Sequence, residues 1–226
     1  MMVRHFEQEL ETLKNHLAQM GSLVDDQLDA ACRAMFESNL DLALRVIERD
    51  AEVDTFDMQI DDECQRILAI VQPVAADLRL LMAALKINSQ LERIGDIAVN
   101  IAERVPPLAG YQELLHSTRL QEMSQIARIM VRDCLDSFIH SEPATATRVL
   151  ESDDVVDSLD RHMFHCLVET MRSDHRMIEP ASHMMILSRH LERLADHATN
   201  VAEDVIFLVE AKMVKHHAYD AGGGTR

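Results

Sequence analysis

The sequence predicts an all-α protein: six long antiparallel helices forming two tandem, duplicated three-helix bundles. Three observations carry this. The 226-residue chain has only six Gly and five Pro, and three of those Gly sit together at 222–224, so helix breakers are scarce. Apolar residues recur at helical spacing through six stretches. Finally, LERIGDIAVNIAERV (91–105) returns as LERLADHATNVAEDV (191–205) with nine of fifteen residues identical, and RVIERDAEVDTFD (45–57) returns as RVLESDDVVDSLD (148–160). Two echoes in the same order, at offsets of 100 and 103, define a repeated unit of about one hundred residues.

In chain order, the first helix is expected over 6–36, the second over 42–70 and the third over 74–105, with breaks near Ser38-Asn39 and at Gln72-Pro73. The segment PPLAG (106–110) ends the third helix and separates a first domain, 1–107, from a second, 111–212. The second domain repeats the pattern over 113–139, 143–172 and 180–212. Pro143 and Pro180 suit first helical turns, where a missing N–H is harmless. Each helix of roughly 30 residues would reach about 45 Å. Residues 213–226 are expected to form a flexible tail.

The formal net charge of -17 repels nucleic acid phosphates and anionic headgroups. No apolar run is long enough to span a bilayer, and the N-terminus lacks an apolar signal core, so a cytoplasmic location without direct membrane insertion is expected. Cys32, Cys64, Cys134 and Cys166 recur between the units and read as reduced core thiols. The fourteen Met read as core filler. Gly95 has Ala195 as its counterpart, which suggests that a small residue is needed for close helix approach.

The acids are the candidate chemistry. At about 100° per residue, Glu92, Asp96 and Glu103 fall on one stripe with Asn100 beside it, away from Ile94, Ile97, Ala98 and Ile101. Glu192, Asp196, Asn200 and Glu203 repeat it. On the preceding helix Asp50, Asp54, Asp57 and Asp61 flank the apolar face, and Asp153, Asp157 and Asp160 copy them. Like charges at i, i+4 cost about 0.2–0.5 kcal/mol per pair, and no Lys or Arg occupies the intervening positions on the same face. Solvent and counterions are one answer. Divalent cations are the other, since carboxylates with an amide oxygen suit Mg, Mn or Fe, and Zn if His162, His165 or His197 joins. A di-iron oxidase would need two Glu-x-x-His pairs, and the chain offers only Glu113 with His116.

LERIGD and LERLADH, the segment PVAADLR (73–79), and NIAE or NVAE after each motif resemble the PhoU family of bacterial phosphate-transport regulators over nearly the whole chain. The resemblance implies two three-helix bundles, commonly in a homodimer, and a non-enzymatic negative regulator of the phosphate-starvation response. It implies two partners, the ATPase subunit of the high-affinity phosphate ABC transporter and a sensor histidine kinase. It also implies multinuclear metal clusters on the acid pairs, here Asp50 with Asp54, Glu92 with Asp96, Asp153 with Asp157, and Glu192 with Asp196. A metal-free scaffold is the reading that remains if the acids are merely solvated.

Overall fold

The structure is a computed structural model that describes residues 2–71, 73–211 and 214; the expected tail falls outside these apart from Val214, which packs on the core. Six long helices form as expected: α1 (Met2–Glu37), α2 (Leu40–Val71), α3 (Ala75–Ala102), α6 (Leu120–His140), α7 (Pro143–Ser173) and α8 (Ile178–Glu210). Between α3 and α6 lie two short ones, α4 (Val105–Leu108) and α5 (Gln112–Ser117). No strand occurs among the described residues.

The first helix of each unit ends in the same way. Ser38 (φ 53°) and Ser141 (φ 55°) adopt the left-handed conformation, and the residue after each donates back across the turn, Asn39 N to Ala34 O and Glu142 N to Ser137 O, both at 2.9 Å. Asn39 Oδ1 then accepts from Leu42 N at 3.0 Å and starts α2. Pro143 stands at the start of α7, and Glu142 before it is held extended. Pro180 lies in the first turn of α8 after a 3-10 turn, His175–Met177, that Asp174 caps through Arg176 N.

PPLAG falls between the two bundles and is itself partly helical, since Pro106 and Pro107 occupy the first turn of α4, where no N–H is required. One expectation is corrected. The single helix expected over 113–139 is split at Thr118, which is extended (φ -102°, ψ 171°) while Ser117 and Thr118 hydroxyls donate to Leu114 and Leu115 carbonyls. Such side chains compete with the helical ladder.

α1, α2 and α3 pack as one bundle and α6, α7 and α8 as the other, and the bundles meet through α3 with α8 and α1 with α6. Their buried side chains form one continuous core that crosses this interface. At the crossings the backbone comes close. A Cβ on Gly95 would lie 3.2 Å from Val53 Cγ1, and one on Gly21 would lie 2.7 Å from Leu135 Cδ2. The need for a small residue at 95 is thus met on the α2–α3 contact. Cys32, Cys64 and Cys134 are buried free thiols, and burial pushes Cys32 and Cys64 up to about 12. Cys166 departs from the expectation in being only half-buried.

A left-handed non-glycine residue is strained by about 1–2 kcal/mol. Ser141→Gly is therefore expected to raise stability by about 0.5–1 kcal/mol, after the extra unfolded-state entropy of glycine, as read by urea denaturation. A lowered midpoint would show that the serine side chain contributes more than its backbone costs.

Candidate metal centre

The apolar face of α2, with Val53 and Ile60 fully buried, turns Asp50, Asp57 and Asp61 to the edge of the core. Asp54 is more exposed. On α3, Leu91, Ile94 and Ala98 are buried and place Glu92 and Asp96 on the neighbouring edge. The two acid rows meet across the α2–α3 groove: Asp50 feels the charges of Asp54 and Asp96, and Glu92 feels those of Asp96, Asp57 and Asp54. Asp50, Asp57 and Glu92 are all pushed above the usual carboxylate range, first by burial and then by these like charges.

The second bundle repeats this on α7 and α8. Asp153 is buried, at 5% exposure, while Asp157 and Asp160 are half-buried. Glu192 is raised to about 7 by burial, then by Asp196, Asp157 and Asp160, which act against Arg189. The duplicated acids thus lie on adjoining helices in both halves.

Several neighbours were not read from the sequence. Asn88, fully buried on α3, donates through Nδ2 to Asp57 Oδ1 at 2.7 Å and Asp61 Oδ1 at 3.2 Å. Ser188, its counterpart at offset 100, donates to Asp160 Oδ1 at 2.6 Å. Gln27 on α1 donates to Val46 O at 3.0 Å and reaches Asp50 Oδ1 at 3.4 Å. The offset of 100 extended upstream from LERIGD would have found the Asn88 and Ser188 pair; nothing local marks Gln27.

The arginines revise another expectation. Arg93 Nε lies 3.3 Å from Glu92 and its Nη1 3.1 Å from Asp96, and Arg189 lies 2.6 Å from Glu192. Arg93 projects from a different angle of the helix, but its long side chain bends round to the acids. The amides and imidazoles named with the acids make other contacts. Asn100 donates to Asp96 O within its own helix, and Asn200 reaches Gln90 across the bundle interface. His197 Nδ1 lies 2.7 Å from Gln90 Oε1, while His162 and His165 are exposed, with His165 edge-on to Phe164. His116, of the Glu113 pair, lies against Phe36.

Among the described residues, no three His, Cys, Asp or Glu side chains are gathered closely enough to hold a metal ion as they stand. The surroundings nevertheless fit a hard cation. Asn88 Oδ1, Gln27 Oε1 and Glu192 Oε2 are buried acceptors without a hydrogen-bond partner, beside carboxylates held partly out of water. The chemistry of that donor set, all oxygen, is that of Mg, Mn or Fe.

The PhoU domain family model matches residues 17–105 and 120–205, one match per bundle. The chain is 41% identical over 208 residues to a phosphate-specific transport system accessory protein PhoU homolog of Aquifex aeolicus, covering 92% of this chain and 94% of that one. A homolog of the same description from Zymomonas mobilis is 35% identical over 94% of this chain and 90% of its own. The fold matches the crystal structure of PhoU from Pseudomonas aeruginosa with a TM-score of 0.85 at 36% identity, over 92% of this chain and 100% of that one. It matches the phosphate transport system regulatory protein PhoU from Streptococcus pneumoniae with a TM-score of 0.81 at 25% identity, over 93% and 99%.

A carboxylate raised in the folded state favours folding below its ordinary value and loses that contribution as pH rises through the folded one. For Glu192 the window runs from 4.5 to about 7. Chelator-treated protein is therefore expected to melt at a lower temperature at pH 7.5 than at pH 5, with the difference reduced in Glu192→Gln. An unchanged profile in that variant would remove Glu192 as the source.

Proposed function

Because the chain belongs to the PhoU family through both of its repeats, we propose that it is a cytoplasmic, non-enzymatic adaptor that restrains the phosphate-starvation response when phosphate is ample. In this reading it sits, as a homodimer, between the ATPase subunit of a phosphate ABC transporter and a sensor histidine kinase. The observation that carries it is the match of both domains, over nearly the full length, to transport-system accessory and regulatory proteins. Two features agree. No described helix is long and apolar enough to cross a membrane, and the net charge of -17 disfavours contact with anionic lipid.

We extend the reading to metal. Asp50, Asp54, Asp57, Glu92 and Asp96 in the first bundle, and Asp153, Asp157, Asp160, Glu192 and Asp196 in the second, would hold divalent cations. Asn100 and Asn200, whose hydrogen bonds use Nδ2, would join through Oδ1. A bound cation supplies positive charge that offsets the carboxylate repulsion. The chain's own residues do the rest: Asn88, Ser188 and Gln27 orient the acids by hydrogen bonds, and the core holds the paired helices at fixed separation. The rigid bundles would then present constant surfaces to the two partners.

A metal-free scaffold is favoured by two observations: Arg93 and Arg189 already pair with the acids, and among the described residues no three ligating side chains are gathered closely enough to hold an ion. Inductively coupled plasma mass spectrometry on tag-free protein separates the readings. Wild type is expected to carry divalent metal and Glu192→Ala with Asp196→Ala to lose about half of it; near-zero metal in both samples would establish the scaffold. For regulation, deletion of the gene is expected to derepress alkaline phosphatase in high phosphate, and normal repression in the deletion strain would count against the adaptor.

A further inference from the structure

The interface between the bundles has two ends related by the offset of 100, and their charges differ. At one end Lys86 donates to Asp204 at 2.7 Å. Close by, Gln90 Oε1 accepts from His197 Nδ1 at 2.7 Å and Asn200 Nδ2 at 3.4 Å. At the other end the corresponding positions hold Ile186, Arg104, His190 and Asn100. The position that supplies a carboxylate at the first end therefore supplies a guanidinium here.

Arg104 Nη1 donates to His183 Nδ1 over a long 3.4 Å, which leaves the proton of that imidazole on Nε2. Arg104 Nε and His190 Nδ1 are both buried and have no hydrogen-bond partner. Glu103 is the carboxylate paired with Arg104, at 3.7 Å and with its side chain about half exposed. Its reach is longer than a good hydrogen bond, and it leaves Arg104 Nε without an acceptor.

We propose that Arg104, His183 and His190 form a binding site for a small inorganic oxyanion at this end of the α3–α8 interface. The buried Arg104 Nε lacks just what a tetrahedral oxyanion brings, several acceptor oxygens on a compact charge, and a guanidinium binds such an ion through two parallel N–H groups; His190 Nδ1, without a partner in the fold, adds a donor in the tautomer that carries its proton there. Arg104 remains about a quarter exposed, so the site can be reached from solvent. The overall charge of -17 selects against polyanions such as nucleic acid. The site draws on no acid-groove residue, so it stands apart from the metal reading and adds to the adaptor a means of responding to anion concentration.

The experiment is isothermal titration calorimetry of the full chain with inorganic phosphate, in EDTA and at constant ionic strength, so that metal-held phosphate is not counted. Saturable binding of one ion per chain is expected, with sulfate competing and chloride not. Arg104→Gln should weaken it at least tenfold and Arg104→Lys less, while Lys86→Gln at the other end leaves it unchanged. Circular dichroism on each variant checks folding, and Arg104→Lys keeps the test decisive if Arg104→Gln does not fold. Absence of saturable binding, equal affinity in the folded Arg104 variants, or displacement by chloride as effective as by sulfate would overturn the proposal.

Discussion

The apolar seam shared by α1, α3, α6 and α8 governs the placement of everything polar in this protein. It crosses from one bundle to the other, so the four inner helices cannot shift independently. α2 packs on α1 and α3, and α7 on α6 and α8. The carboxylates sit where these outer helices meet the inner ones, at the border between core and solvent. That border position raises the protonation of Asp50, Asp57, Glu92 and Glu192 through burial first and mutual repulsion second.

Magnitude shows why this matters. On an isolated helix a like-charged i, i+4 pair costs only about 0.2–0.5 kcal/mol, which solvent and salt readily tolerate. Across each groove, partial burial adds to the like charges of the facing row, so the conflict exceeds that of either helix alone. Arg93 and Arg189 supply part of the answer from the solvent side, and Asn88, Ser188 and Gln27 supply donors from the core side. Acceptors left over at Asn88, Gln27 and Glu192 are what a cation would satisfy.

Duplication kept the frame and let the polar details diverge. The left-handed serines, the acid rows and the small residue at 95 and 195 recur in place. Asn88 becomes Ser188, which keeps a donor for the acid beneath it. At the bundle interface the divergence is larger, with a Lys–Asp pair at one end and an arginine with two histidines at the other.

The sequence alone determined the helical class, the duplication and the acid rows, because each rests on short-range periodicity and on a repeat that needs no partner to be seen. Breaks at Ser38 and Ser141 were legible for the same reason. It did not show the short helix inside the linker, where Pro106 and Pro107 begin a helical turn, and it missed the split at Thr118, where a side chain competes with the backbone. Only the tertiary structure decided that Arg93 folds back onto its own helix's acids, that Asn200 and His197 face Gln90, and that Gln27 approaches Asp50. Those contacts depend on how far a flexible side chain reaches and on which helix lies beside it, and neither is written in the spacing of residues along one chain.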